Sequence, residues 1–389
     1  MAVTTDVVII GGGIIGTSIA YCCARAGLNV TVVDRREPGR EASWATAGII
    51  GVQPYEQAKT PFTALLGLGT RLHAEWAEEL REETGLEPGY LRTGGIELAR
   101  DAHEAHTLHS AAGHYRAHGV EWVKLSTEQV VEREPHLFGQ FAAVYLVPGM
   151  AQIRPPRYMR ALVAACQRRG VEFLSGHAVI DFILHGDRVQ GVVTQTDEIH
   201  ANYTVVAAGA WTEGLLKPLG FRLPVRPVRG QVVLLEARAD LIRHILMVGR
   251  QYVVPRLDGR YLVGSTQEHV GFNRSVTVDG IRKLLDFAAW LCPELGRARI
   301  ESAWSGFRPS NPDGKPFIGG TQRYQGLLFA TGHFRSGVLA APATALLIQQ
   351  LICGEEPVVP LWPFNPDRPI PTGQGDSEPP AAAEGDDDA

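Results

Sequence analysis

Six residues near the start of the chain have the spacing of an anion cradle. Gly11-Gly12-Gly13-Ile14-Ile15-Gly16 is a G-x-G-x-x-G run. In such a run Gly11 lets the chain turn sharply, Gly13 leaves room for a pyrophosphate against the backbone, and Gly16 lets a helix close on the sheet. The N-terminus of that helix then faces the anion. Asp34 follows Gly11 by 23 residues, where a carboxylate can accept hydrogen bonds from a ribose diol. The pattern predicts a dinucleotide site. Its position at the start of a long chain suits FAD, but the residues alone leave FAD and NAD both open.

A second candidate lies at the other end of the chain. Arg308 in Phe307-Arg308-Pro309 and Arg335 in Phe334-Arg335-Ser336 are planted among apolar and small residues. A guanidinium in such company needs an anionic partner, and a planar carboxylate is its natural bidentate one. The alternatives, a protein acid or a stem that carries the charge out to water, remain open from the residues alone.

Other features are set aside. His103, His106, His109, His114 and His118 crowd one segment, but no Cys or flanking carboxylate completes a metal site. Gly314-Lys315 runs into Pro316 and lacks the upstream glycine of a phosphate-binding P-loop. No G-x-S-x-G nucleophile motif occurs. Cys22 and Cys23 read as core residues of the first helix.

The elements that must position these residues follow from periodicity. Residues 7–10 form an apolar run fit for a buried parallel strand, 15–26 repeat at helical spacing, and 30–33 form a second strand ending at Asp34. Helices are expected at 70–84, 101–119, 158–170 and 278–291, and over about 16 residues ending at 353. Strands are expected near 96–99, 142–147, 171–174, 178–184, 189–194, 203–207, 231–236, 261–264 and 326–330. No internal repeat is visible. Two interleaved domains result, an α/β, doubly wound Rossmann-like nucleotide domain and an α+β substrate domain built on an antiparallel sheet. The first takes residues 1–89, 150–221 and 303–370, the second 90–149 and 222–302.

Composition bounds the class. The chain has 389 residues, 45% hydrophobic and 20% charged, which is ordinary for a globular protein that needs no metal or disulfide to fold. Its five cysteines include no C-x-x-C, which fits a reducing cytoplasm. The formal charge is −5, but residues 371–389 hold six acids and no base, leaving about +1 elsewhere. Neither nucleic acid nor a membrane is expected as a partner. The start of the chain lacks a basic n-region, and no run is long and apolar enough to span a bilayer, so a soluble cytoplasmic protein is expected. Residues 371–389 are expected to be a disordered acidic tail.

With these residues in view, the chain resembles the glycine oxidase and D-amino acid oxidase family of FAD-dependent oxidoreductases. The resemblance runs from about residue 6 to 365. It rests on the opening βαβ unit, Ala42-Ser43-Trp44-Ala45-Thr46-Ala47-Gly48, 205–211, Trp304-Ser305-Gly306-Phe307-Arg308-Pro309 and Asp313-Gly314-Lys315-Pro316-Phe317-Ile318-Gly319. It is strongest at 330–344, around Gly332-His333-Phe334-Arg335-Ser336-Gly337. The resemblance implies FAD lined by Ile14, Ile15, Asp34, Arg35, Ala42, Ser43, Gly48, Ile49 and Ile50, with Val179 at the adenosine half. His333, Phe334, Arg335, Ser336, Gly337, Val338 and Leu339 would meet the flavin ring, where free backbone N–H groups at a strand-to-helix loop can stabilise negative charge.

The same resemblance implies that Arg308 and Arg335 hold a substrate carboxylate, with Tyr252 hydrogen-bonded to it. Arg250 and Arg256 flank Tyr252, and strand alternation points both to the side of Tyr252 or neither. No side chain need act as acid or base. The FAD would be noncovalent, since no cysteine lies near Gly306. The implied activity is oxidative deamination of glycine, sarcosine and small D-amino acids, with hydride leaving the α-carbon for flavin N5 and dioxygen giving hydrogen peroxide. Thiamine biosynthesis and a homo-oligomer, a tetramer in some relatives, are implied too. Other readings are a broader D-amino acid oxidase, a dehydrogenase using a quinone acceptor, and a non-catalytic flavoprotein assembly factor. Ile49 and Gln267 stand where the family pattern has methionine.

Overall fold

The computed structural model describes residues 3–370; the acidic segment 371–389 lies outside the described residues. Two eight-stranded sheets organise the molecule. In the first, Val3–Ile10 lies at the centre, flanked in parallel by Glu198–Val206 and Val30–Asp34. Leu327–Thr331 and Glu172–Ser175 extend it outward in parallel on the two sides. Phe317–Gly320 closes one edge antiparallel, and the hairpin Val179–His185/Arg188–Thr194 pairs onto Glu198–Val206.

Alternation along the central strand decides what each face buries. Val7 and Ile9 face the helices Ile14–Arg25, Pro61–Thr84, Pro155–Arg168 and Gly337–Cys353, which share one core. Val8 and Ile10 face the opposite core, formed by the hairpin and the segment from Leu216 to Val225. Gly16 permits the tight helix-on-strand packing, because a Cβ there would lie 1.9 Å from the Gly11 carbonyl oxygen. The 24-residue helix Pro61–Thr84 starts nine residues before its expected start. Thr60 caps it by accepting from the Thr63 N–H, and Pro61 occupies the first turn, a start signal present in the sequence.

The second sheet runs in the order Arg299–Ser310, Arg226–Glu236, Arg260–Gly264, Gln251–Pro255, Ile245–Val248, Gly95–Ala99, Ala143–Val147, Val123–Lys124. It is antiparallel throughout except where Ile245–Val248 meets Gly95–Ala99 in parallel. The helix Val278–Leu291 covers one face over an apolar core. The domain boundary expected at 303 falls inside Arg299–Ser310. That strand pairs with Arg226–Glu236 from end to end, so the second sheet continues to Ser310. The strand is long enough to carry residues from the second sheet to the edge of the first, and Arg308 rides on it.

Among the described residues, no helix is long and apolar enough to cross a membrane. No group of three or more His, Cys, Asp or Glu side chains could hold a metal ion. Of the crowded histidines, the His114 and His118 rings lie 4.4 Å apart, tilted by 35°, and His109 meets the Tyr145 hydroxyl at 3.1 Å.

Candidate active site

One cavity of about 650 Å³ runs between the two sheets. Its first end is made of backbone. Gly11 has φ +109°, and a Cβ there would lie 2.5 Å from the Ala207 carbonyl oxygen, so only glycine makes this turn. Gly13 lines the cavity with no side chain, and the first turn of Ile14–Arg25 opens onto it with N–H groups that have no intrahelical acceptor. The Ser43 hydroxyl accepts from the Ile14 N–H at 2.8 Å. Asp34 Oδ2 accepts from the Gly12 N–H at 2.7 Å and Oδ1 from the Arg36 N–H at 2.9 Å. Burial raises the Asp34 pKa above its ordinary value, partly offset by those two N–H groups. Each oxygen keeps a lone pair for a hydroxyl.

Ile15, Arg35, Ala42, Ile49 and Val179 line the same cavity. Arg35 lies 4.0 Å from the Trp211 ring and pairs with Glu41 at 3.1 Å. Gly16, Gly48 and Ile50 do not line it: Gly16 packs helix on strand, Gly48 turns with φ +73° against Ile153, and the Ile50 side chain is buried in the helical core. Their contribution is to shape the wall from behind.

The middle of the cavity is the turn between Leu327–Thr331 and Gly337–Cys353. His333, Phe334, Arg335, Ser336, Gly337, Val338 and Leu339 all line it. His333 Nε2 meets Thr344 Oγ1 at 3.0 Å, and burial pushes its pKa down to about 3, so the ring is neutral. Phe334 has φ +47°, a strained conformation held by its N–H donating to the Pro309 carbonyl at 2.9 Å. His73 on Pro61–Thr84 contacts the Val338 carbonyl at 2.7 Å.

The far end is made of side chains. Arg308 lines it, donating from Nη1 to the Thr266 carbonyl at 3.1 Å and from Nη2 to Ser265 Oγ at 2.6 Å. Burial lowers its pKa from the ordinary value, though an arginine stays charged. Among the described residues no carboxylate lies within 4.0 Å of it. A Cβ on Gly230 would lie 2.4 Å from Nη2, so glycine is what leaves the guanidinium its place. Arg335, exposed, and Tyr252, buried, line the cavity with it. Tyr252 packs on Gly264, where a Cβ would lie 2.4 Å from the hydroxyl.

Arg256 is committed elsewhere. It donates to the Gln152 side chain, to the Ile153 carbonyl at 3.0 Å and to the Ala47 carbonyl at 2.7 Å, and burial lowers its pKa to about 10. Neither Arg256, Arg250 nor Gln267 lines the cavity, whereas Ile49 and Met247 do. Sequence reasoning missed Gly230, Ser265, Thr266 and Met247. For Gly230 a signal existed, since an isolated glycine inside a strand marks a close approach.

The cavity thus joins a dinucleotide cradle to a half-buried cation. Together they define an enzyme that brings a redox dinucleotide to a small anionic substrate. The comparisons narrow this class. The FAD dependent oxidoreductase (DAO) family profile matches residues 6–351. Glycine oxidase of Pseudomonas aeruginosa is 37% identical over 362 residues, covering 92% of this chain and 98% of the relative. The bifunctional protein ThiO/ThiG of Synechocystis is 34% identical over 379 residues, covering 96% of this chain and 55% of the relative. The crystal structure of glycine oxidase from Geobacillus kaustophilus superposes with a TM-score of 0.90 at 32% identity, covering 95% of this chain and 100% of that one. The chain belongs to the DAO family of FAD-dependent oxidoreductases and is an FAD-dependent amino-acid oxidoreductase.

The residues present fit that cofactor. Asp34 suits a ribose and the glycine turn suits a pyrophosphate, where a Cβ on Gly13 would crowd Ser43 Oγ at 3.2 Å. The turn 332–337, with its neutral His333 ring, continues the cavity toward Arg308.

Proposed function

We propose that this chain oxidises glycine and other small amino acids, including sarcosine and small D-amino acids, at the carbon–nitrogen bond with dioxygen as final acceptor. The observation that carries this is Arg308, a half-buried cation that has no carboxylate partner among the described residues, opening into the cavity that begins at Asp34. A substrate carboxylate supplies the missing anion. Its bond to Arg308 is charge-assisted and shielded from water, and Arg335 and the Tyr252 hydroxyl close on the same group.

When bound, FAD supplies the two-electron acceptor, taking a hydride at N5. The protein's part is positioning. Arg308 fixes the carboxylate so that the α-carbon faces the cofactor end, and the apolar walls, Ile49, Met247 and Val232, exclude water around it. Among the described residues no carboxylate or imidazole contacts Arg308 to take a proton, so the amine enters neutral and its lone pair assists loss of the α-hydrogen. The imine product takes up water to give a 2-oxo acid with ammonia, or with methylamine from sarcosine. Dioxygen takes the two electrons with two protons to become hydrogen peroxide. FAD is held noncovalently, since no cysteine lines the cavity among the described residues. Acid precipitation should leave the yellow colour in solution. Resemblance to glycine oxidases supports a further role, supplying glycine imine to thiamine thiazole synthesis.

Side-chain choice rests on cavity volume, because Arg256 is committed to protein carbonyls and, among the described residues, the arginines lining the cavity besides Arg308 are Arg335, assigned to the same carboxylate, and Arg35 at the cradle end. One methylene is worth only about 1–3 kcal/mol in such a pocket, so several small substrates should turn over. Handedness should be stricter, because a fixed carboxylate and an aimed α-hydrogen leave one side for the side chain. An oxygen-electrode screen of glycine, sarcosine, D-alanine and L-alanine tests this. L-Alanine oxidised as fast as D-alanine would overturn the geometry. Flavin reduction without oxygen uptake would favour a dehydrogenase instead.

A further inference from the structure

Arg308 does not choose its own direction. Both groups that hold it, the Thr266 carbonyl and the Ser265 hydroxyl, belong to a short segment just after the strand Arg260–Gly264. That segment is fastened by a half-buried polar network outside the cavity. The Thr266 N–H donates to the Gln231 carbonyl at 3.2 Å, and the Gln231 N–H donates to Thr266 Oγ1 at 2.9 Å. The Thr266 hydroxyl in turn donates to Glu268 Oε2 at 3.2 Å. Glu268 also accepts from Arg229 Nε at 2.7 Å and from Gln231 Nε2 at 3.0 Å to each oxygen, so three side chains converge on one carboxylate.

The backbone repeats the connection: Arg229 N–H donates to the Glu268 carbonyl at 2.9 Å, and Glu268 N–H donates back at 3.0 Å. Arg229 and Gln231 are buried in Arg226–Glu236, the strand that pairs with Arg308's own strand and places Val228 opposite Arg308. The register sets Arg229 opposite Phe307 and Arg308 opposite Val228, so the two arginine side chains leave opposite faces of the sheet, Glu268 on the side of Arg229 and the cavity on the side of Arg308. The Glu268 carboxylate is committed to Arg229, and Arg308 is left without an acid. Burial opposes the charge on Glu268, but the Arg229 and Gln231 donors outweigh it and hold the pKa below the usual carboxylate range. The acid stays ionised and does not need Arg308.

We propose that Glu268 is a positioning residue for substrate recognition: held by Arg229 and Gln231 and fastening Thr266, it keeps the 265–266 segment in the place from which that segment aims the Arg308 guanidinium into the cavity. The proposal rests on the reading of Arg308 as the carboxylate clamp.

The test is a double-mutant cycle on the FAD-loaded enzyme, with acetate as a carboxylate competitor of glycine. Glu268→Gln keeps the shape of the side chain and removes its charge. In the native background it should raise the inhibition constant of acetate about tenfold and raise KM for glycine in parallel, with kcat at saturation within about twofold of native. In an Arg308→Ala background the same substitution should change the acetate constant less than twofold, since nothing is left to aim. Equal weakening in both backgrounds would show a merely structural role and overturn the proposal. Arg308→Ala that weakens acetate while Glu268→Gln does not would overturn the positioning role and leave the clamp standing. Arg308→Ala with native acetate binding would remove the clamp and the proposal together. Should Glu268→Gln fail to fold, Thr266→Val removes the hydroxyl that links Glu268 to the segment. It should raise the acetate constant likewise, and Thr266→Ser should restore it; no effect of Thr266→Val refutes the link.

Discussion

The two ends of the cavity are built from different material. At the dinucleotide end the groups offered are peptide N–H groups and a single carboxylate, fixed by a turn and a helix start that lie, with Asp34, within the first 34 residues. Tolerance there is nil, because the Cβ positions at Gly11 and Gly16 point at carbonyl oxygens. At the Arg308 end the group offered is the tip of a long side chain, and its supports come from residues 229–231 and 265–268. Backbone cradles fail by losing the fold around the cofactor. Side-chain clamps fail by losing aim, with the fold intact.

The sharpest way to break this contrast is a pair of glycine substitutions. Gly16→Ala places a methyl 1.9 Å from the Gly11 carbonyl oxygen, and neither partner can move without opening the first βαβ unit. We expect purified protein with most of its flavin lost, read from the ratio of flavin to protein absorbance; a normally loaded variant would contradict the comparison. Gly230→Ala meets only the end of the Arg308 side chain. It should load FAD normally and bind glycine poorly.

Next in size is Arg308→Ala. Losing a charge-assisted contact of about 1.5–3 kcal/mol predicts a fall in kcat/KM of roughly ten- to a hundredfold, with native flavin content. Steady-state kinetics check the first part and absorbance the second.

A smaller effect concerns His73, which supports the cofactor turn through the Val338 carbonyl. Burial lowers its pKa from the ordinary 6.5 to about 4. The unfolded chain therefore takes the proton first, so stability is complete above pH 6.5 and is lost as pH falls toward 4. At pH 5 the loss is about 2 kcal/mol relative to pH 8. His73→Gln keeps a donor and removes the titration. The stability gap between native and variant should narrow by about that amount between pH 8 and pH 5, measured by urea unfolding; a constant gap would refute the assignment.

The smallest effect is expected where the two ends touch. Arg274 reaches from the loop after Glu268 to Glu41 and lies 5.1 Å from the Phe307 ring. Both partners are partly exposed, so Arg274→Ala should cost under about 1 kcal/mol in a melting experiment. A much larger loss would mean the ends depend on each other.

The same contrast explains what the sequence made legible. The cradle is local: strand, glycine turn, helix and Asp34 follow in order, and each constrains the next. Ser43 and Ile49 sat in a recognisable stretch. Arg308 and Arg335 stood out by their apolar company, but nothing in their 27-residue separation shows that they line one cavity. That meeting depends on Arg299–Ser310 staying in the second sheet through Ser310, where the Pro309 carbonyl takes the Phe334 N–H and brings the strand end against the turn 332–337. Thr266 and Glu268 were invisible for a related reason. Their importance lies in cross-strand pairing with Arg229 and Gln231, some 35 to 40 residues earlier, and the intervening chain carries no motif.

Anaerobic mixing of the FAD-loaded enzyme with glycine tests the central claim most directly, that Arg308 presents an amino-acid carboxylate to the cofactor. The native flavin should bleach with a rate that saturates in glycine. Arg308→Ala should bleach to the same end point only at glycine concentrations at least about tenfold higher. A native flavin that stays oxidised, or a variant with the native concentration dependence, would contradict the account.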